Sequence, residues 1–255
     1  MQGRFISGDS LKKIFSRTRS LTDTVNTYCA GCGHGIVHRL IAEAVDELGI
    51  RERTIGVAPV GCAVYAYDYF NFDVSEAPHG RTPCVAAAIK RMLPDRLVFS
   101  YQGDGDLAAI GTAEIVHCAN RGDTITVIFI NNANFGMTGG QMAPTTLVGQ
   151  KTTTTPEGRQ TETAGYPLKI CELLAALEGA VYLERTTVTN PASVMKTKKA
   201  ILKAFRNQMQ GKGFSLIEVL SPCPVNWRMK PADALQWIDA KMTKQFPLGV
   251  IKNLE

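Results

Sequence analysis

The 255-residue chain contains no run of eighteen apolar residues, which excludes a helical membrane span on pattern. No apolar segment opens it, and seven cysteines are few for its length, so neither a secretory leader nor a disulfide scaffold is expected. Reduced thiols and a cytoplasmic location follow from that reading. Internal repeats and an internal linker are also missing. The net charge of +5 comes without any recognised nucleic-acid motif. Its basic runs, at residues 11–20 and 196–199, therefore read as solvated faces rather than as a nucleic-acid surface. Asp9 and Asp23 argue against a transit peptide in the basic opening.

What the chain has is alternation. Strand candidates at 54–59, 97–101, 124–130, 180–185 and 214–220 are interleaved with helix candidates at 36–48, 83–92, 107–120, 167–177 and 191–210. That order predicts an α/β fold, a mostly parallel sheet with helices on both faces. At 45% hydrophobic, the chain can bury one substantial core. Residues 1–27 read as a basic, subunit-docking arm, 28–228 as the folded domain, and 229–255 as a helical tail that docks on a neighbour. The polar, turn-rich stretch 151–163 reads as a lid or an intersubunit contact.

The densest signal is GDGDLAAIGTAEIVHCANRGDTITVIFINNANFGMTGG, from Gly103 to Gly140. Asp104 and Asn132 stand about thirty residues apart, enough for a helical crossover. Both then emerge at the carboxyl ends of neighbouring parallel strands, where open α/β sheets bind ligands. Mg2+ takes oxygen ligands in octahedral geometry and pairs protein groups with phosphates. Asp104 offers a carboxylate, Asn132 an amide oxygen and Asn134 a backbone carbonyl. Gly103, Gly105 and Asp106 make the first turn, where the backbone approaches phosphate and a helix N-terminus faces negative charge. Phe135, Gly136, Met137 and Thr138 make the second, an anion cup. Taken singly, GDG and NN are ordinary turn signals. Together, at this spacing, they read as a Mg-diphosphate cradle.

Cys29 and Cys32 form a C-x-x-C on a glycine-rich turn, and Cys62 and Cys223 lie in loops beside predicted strands, so four thiols can converge. Thiolates suit zinc or an iron-sulfur cluster, and unrelated buried cysteines are the third reading. Cys118 and Cys171 sit in helical, apolar stretches and read as core. Cys84 reads as a small residue at a helix start.

CAGCGHG, VGC, HGR, GDGDLAAIG, NNANFGMTGGQ and SPCP, in this order, resemble the β subunit of 2-oxoacid:ferredoxin oxidoreductases across residues 28–227. The GDG and NN pair is similar to the diphosphate domain of thiamine diphosphate enzymes. The resemblance implies thiamine diphosphate and Mg2+ in the cradle, and a 4Fe-4S cluster on Cys29, Cys32, Cys62 and Cys223. It adds Gly61, Cys62 and His79 to the cofactor contacts, and makes His34 a hydrogen-bond donor near the cluster. His38 and His117 remain helix-surface or helix-core residues.

The implied reaction converts a 2-oxoacid and coenzyme A to acyl-CoA and CO2, passing electrons to ferredoxin. An acidic ferredoxin would suit the basic runs. The implied partners are an α subunit with the pyrimidine-binding domain and its activating glutamate, and further γ/δ-type subunits. Glu114 and Glu162 are poor substitutes for that glutamate. Tyr65 stands where many members have a lysine. The aromatic run Tyr65, Tyr67, Tyr69, Phe70 and Phe72 reads as core or subunit interface, with pocket lining as the second reading. A branched-chain substrate, 2-oxoisovalerate, is favoured, with 2-oxoglutarate and pyruvate open. The competing readings are a non-redox thiamine decarboxylase or synthase, which leaves the cysteines idle, and a zinc-binding scaffold, which leaves the cradle idle.

Overall fold

The structure is a computed structural model that describes residues 16–254. In chain order its elements are α1 (His34–Leu48), β1 (Thr54–Ala58), α2 (Ala66–Tyr69), β2 (Asp73–Glu76), α3 (Thr82–Met92) and β3 (Leu97–Gly103). There follow α4 (Thr112–Asn120), β4 (Thr126–Asn131), α5 (Thr161–Ala164), α6 (Ile170–Ala175), β5 (Ala180–Thr187), α7 (Pro191–Met209), β6 (Phe214–Leu220), α8 (Pro224–Trp227), α9 (Pro231–Trp237) and β7 (Gly249–Asn253).

The seven strands form one sheet in the order β2-β1-β3-β4-β6-β5-β7, parallel except for β7 against β5. Every residue of β4 is buried, as a strand covered on both faces requires. Its side chains alternate between two cores. Ile128 and Ile130 pack with Val37, Ile41, Ile201 and Phe205 of α1 and α7. Val127 and Phe129 pack with Ala86, Ile115 and Leu174 of α3, α4 and α6. The period of two in the strand thus fixes which helices lie on which face. Among the described residues no helix is long and apolar enough to cross a membrane.

Three elements differ from the sequence expectation. The helix expected from residue 107 begins instead as a π-helical turn, Gly105–Ile110, before α4. β2 is a short polar strand on one edge of the sheet, and β7 closes the other. Hence the C-terminal segment is helical only in part. Its Ile238, Met242 and Phe246 form a third small core with Ala133, Leu147 and Leu220. That core lies directly beneath the loop that follows β4. Residues 1–15 of the expected docking arm lie outside the described residues. The remainder of the arm runs along the domain, with Ser20 Oγ donating to Asp46 and Leu21 bridging Phe70.

Because β1, β3, β4 and β6 are sheet neighbours, the loops after their carboxyl ends are neighbours too. Those loops hold Cys62, Asp104, Asn132 and Cys223.

Candidate cofactor and metal site

Asp104 directly follows β3, its carboxylate buried. Oδ1 accepts from the backbone N–H of Gly105 at 3.0 Å, and Oδ2 from Asn134 N–H at 3.1 Å and from Thr145 Oγ1 at 2.8 Å. Burial nevertheless pushes its pKa up from 3.8 to about 7, the hydrogen bonds only partly offsetting the loss of water. A bound cation would offset that cost. The Asn132 amide atom that faces it lies 3.2 Å from Asp104 Oδ1 and 2.8 Å from the Asn134 carbonyl oxygen. With nitrogen inward, Asn132 donates to both. With oxygen inward, the Asn132 oxygen stands from each of the other two at about the spacing of adjacent corners of an octahedron whose bonds are about 2.1 Å. The donor set therefore fits Mg2+.

Buried charge props this turn from behind. Asn132 and Asn134 flank Ala133, which takes a φ of 55°, a left-handed conformation unusual for a residue with a Cβ. Asn131 Oδ1 accepts from Ala133 N–H at 3.2 Å, while Asn131 Nδ2 donates to Glu218 at 2.7 Å. Glu218 in turn pairs with Arg185 at 2.8 Å, and Arg185 reaches Glu172 and the Pro247 carbonyl. Thr146 Oγ1 holds the Ala133 carbonyl at 2.7 Å. Arg159, also buried, donates to the carbonyls of Ala143, Pro144 and Thr146 on one side and Ala164, Gly165 and Tyr166 on the other. That clamp ties the 151–163 segment to the loop presenting Thr145.

Gly103, Asp104, Gly105, Asp106, Asn132, Asn134, Phe135, Gly136, Met137 and Thr138 line one cavity of about 240 Å³, together with Gly61, Cys62 and His79. Glycine at 105 is required by close approach, since a Cβ there would lie 2.4 Å from the Phe135 ring. His79 Nδ1 sits 2.7 Å from Asp106 Oδ1 and 3.1 Å from the Val60 carbonyl. Two acceptors at Nδ1 place the proton there and leave Nε2 as the free ring nitrogen. Asp106 is itself fixed by Gly80 N–H at 2.8 Å and Gln102 Nε2 at 2.6 Å. Arg81 is drawn aside by Glu114.

Cys29, Cys32, Cys62 and Cys223 line an adjoining cavity of about 370 Å³. His34, Gly61, Cys62, Asn132, Gly136 and Met137 border both cavities. The C-x-x-C turn can approach because residue 33 is glycine: a Cβ there would lie 2.3 Å from Ser221 Oγ. All four thiols are free. Burial, then the neighbouring cysteines, push Cys62 up to about 12, and burial pushes Cys32 up to about 11. Cys32 and Cys62 are therefore protonated thiols, and loading a metal centre on them must displace their protons. Among the described residues no group of three or more His, Cys, Asp or Glu closes on a single point as a one-metal site requires. The four thiols are instead spread round the cavity wall.

Other residues fall elsewhere. Cys118 and Cys171 are fully buried in the core behind α4 and α6, and Cys84 is exposed on α3. His34 is buried, bonded through Nδ1 to Tyr101 Oη at 2.8 Å, and burial holds its pKa down to about 4. Of the aromatic run, Tyr69 and Phe70 are core, and only Tyr65 borders the cysteine cavity. Sequence reasoning missed Thr145, Arg159, Asn226 and Trp227, whose indole N–H donates to the Asn132 carbonyl at 3.0 Å. A larger cavity, about 460 Å³, lies at the amino ends of the strands, among Arg53, Lys90 and Gln208, away from every one of these groups.

Residues 59–219 match the family "Thiamine pyrophosphate enzyme, C-terminal TPP binding domain". The chain is 49% identical over 240 residues to the ketoisovalerate oxidoreductase subunit VorA of Methanothermobacter marburgensis, covering 94% of this chain and 50% of that protein. It is 38% identical over 217 residues to the 2-oxoglutarate synthase subunit KorB of Methanocaldococcus jannaschii, covering 83% and 76%. The chain thus spans about half the length of the ketoisovalerate relatives it matches. In three dimensions it is similar to 2-oxoglutarate:ferredoxin oxidoreductase from Magnetococcus marinus, at a TM-score of 0.78 and 21% identity, over 95% of this chain and 86% of that one. At that identity the likeness is one of fold.

Proposed function

The chain belongs to the thiamine diphosphate-binding subunits of the 2-oxoacid:ferredoxin oxidoreductases, and from that membership we propose that it works as the β subunit of such a complex. The reaction is oxidative decarboxylation of a 2-oxoacid to acyl-CoA and CO2, with ferredoxin as electron acceptor. The observation that carries this reading is the pair of adjoining cavities, one with three oxygens set for Mg2+ and one ringed by four free thiols. When bound, thiamine diphosphate would supply the carbanion chemistry of decarboxylation, and a 4Fe-4S cluster would accept electrons.

This chain's own groups bind and orient. Asp104, Asn132 and the Asn134 carbonyl hold Mg2+, and Thr145 keeps the carboxylate aimed at it. His79 is oriented by Asp106 and Val60, which accept its Nδ1 proton, so that its ring helps to wall the diphosphate cavity. Cys29, Cys32, Cys62 and Cys223 ligate the cluster. Wall residues common to both cavities, among them Cys62 and Gly136, would hold the cofactor and the cluster in adjoining spaces. The glutamate that activates the aminopyrimidine comes from an α subunit, with further γ/δ-type subunits completing the complex. 2-Oxoisovalerate is the favoured substrate, because the relatives at 49% and 50% identity are ketoisovalerate oxidoreductase subunits, against 38% for the 2-oxoglutarate synthase subunit.

The test is a substrate panel on the complex reconstituted anaerobically with its α subunit. Ferredoxin reduction dependent on coenzyme A, fastest with 2-oxoisovalerate, is the expected result. CO2 release without ferredoxin reduction would assign a non-redox decarboxylase instead, and a preference for 2-oxoglutarate or pyruvate would reassign the substrate.

A further inference from the structure

Asn226 connects the two cavities through one amide group. It lies on the short helix α8, three residues after Cys223. Its Nδ2 is 2.8 Å from the Gly136 carbonyl, 3.3 Å from Asn134 Oδ1 and 3.4 Å from Cys223 Sγ. The Gly136 carbonyl and Asn134 Oδ1 can only accept, so the nitrogen end of the amide faces them and Cys223 Sγ, which is itself 3.8 Å from Asn134 Oδ1. An amide NH2 has two protons to share among these three acceptors. A change in demand at any one therefore alters the bond to the others. Asn134 lines the diphosphate cavity, Cys223 the cysteine cavity, and Gly136 both. Asn134 also offers its backbone carbonyl to the cation position.

We propose that Asn226 couples occupancy of the diphosphate cavity to the reduction potential of the metal centre held by Cys223. N–H donors to cluster-ligating sulfur favour the reduced, more negatively charged state and so raise the potential. Drawing the 134–136 loop onto a bound Mg-diphosphate changes how the Asn226 protons are shared, and with it the bond to Cys223. Coupling of this kind is reciprocal: if cofactor shifts the potential, the oxidised and reduced proteins bind cofactor with different affinities, in the ratio set by that shift. The inference rests on the reading of Cys223 as a cluster ligand and of the Asp104 loop as the diphosphate site.

The experiment is an EPR-monitored redox titration of the anaerobically purified holoprotein, with and without thiamine diphosphate and Mg2+, for wild type, Asn226→Ala and Trp227→Phe. The expected results are a cofactor-dependent shift in wild type, a more negative potential with no such shift in Asn226→Ala, and the shift kept in Trp227→Phe. The last variant removes the indole bond to the Asn132 carbonyl, next to the amide, and leaves Asn226 in place. A full shift in Asn226→Ala, no shift in wild type, or equal loss in Trp227→Phe would overturn the proposal alone. Wild-type protein lacking iron, or failing to bind Mg-thiamine diphosphate in calorimetry, would overturn the functional reading along with it.

Discussion

Thr145 Oγ1 donates at 2.8 Å to the same carboxylate oxygen of Asp104 that accepts the backbone N–H of Asn134. The bond aims Asp104 but adds no positive charge, so without a cation the carboxylate stays strained by burial. Its raised pKa is a stability statement. Between 3.8 and about 7 the folded protein binds the proton and the unfolded chain does not, so this group's contribution falls as pH rises through that window. Asp104→Asn removes the fall, and the cofactor-free variant should melt higher than wild type above pH 7. The same substitution should weaken Mg-dependent thiamine diphosphate binding by about two orders of magnitude, the loss expected when a charged ligand is removed. Melting curves across pH, with calorimetry of cofactor binding, check both signs.

Glu218 holds Asn131, which holds the left-handed turn at Ala133. In Glu218→Gln, Arg185 loses a buried charged partner, which costs about 3–5 kcal/mol, and a carboxamide, with one acceptor oxygen in place of two, cannot serve both Asn131 and Arg185. Reduced stability together with faster hydrogen exchange at residues 131–134 is expected. Ala133→Gly should be tolerated or mildly stabilising, because glycine adopts this φ freely. Unchanged exchange across the turn in Glu218→Gln would show that the charge network does not support it.

Buried imidazoles set the acid side. Burial depresses the His34 pKa to about 4 and holds His38 well below 6.5. The unfolded chain takes up protons below about 6.5 while the folded one does not. Their stabilisation is present above that pH and is lost as pH falls toward 4. His38→Gln should flatten the acid limb of the stability curve, measured by denaturant unfolding at pH 4.5 to 7. An unchanged slope would contradict the assignment.

Cysteine replacements should divide by location. Cys62→Ser and Cys223→Ser remove cavity-lining thiols and should abolish stable iron incorporation. Cys118→Ser and Cys171→Ser change thiols that lie outside both cavities, beside Arg121 and Glu218 respectively, and should leave iron content unchanged. Full iron content in Cys223→Ser would remove that residue from the site.

Asp104, Asn132, Cys62 and Cys223 follow strand-like runs whose order in the sheet makes their loops adjacent, whereas Cys29 and Cys32 stood out only as a C-x-x-C before α1. The partners that aim them were not legible in the sequence. Thr145 is 41 positions from Asp104, and nothing local in APTT marks its hydroxyl as a donor. Arg159 sits in a polar, turn-rich stretch, where a guanidinium serving six carbonyls looks like an ordinary surface charge. β2, with the sequence DVSE, is an edge strand without an apolar pattern, and the π-helical turn after Asp104 defeats a reading based on the α-helical period. β7 forms only because β5 leaves an antiparallel edge free, a fact of topology rather than of composition.

The central claim is that one chain holds a Mg-diphosphate cradle beside an iron-sulfur cluster, and metal analysis of anaerobically purified protein tests it most directly. The account predicts brown protein with about four irons and four acid-labile sulfides per chain, whose visible spectrum survives Asp104→Asn while cofactor binding does not. Colourless protein containing zinc in place of iron would contradict it.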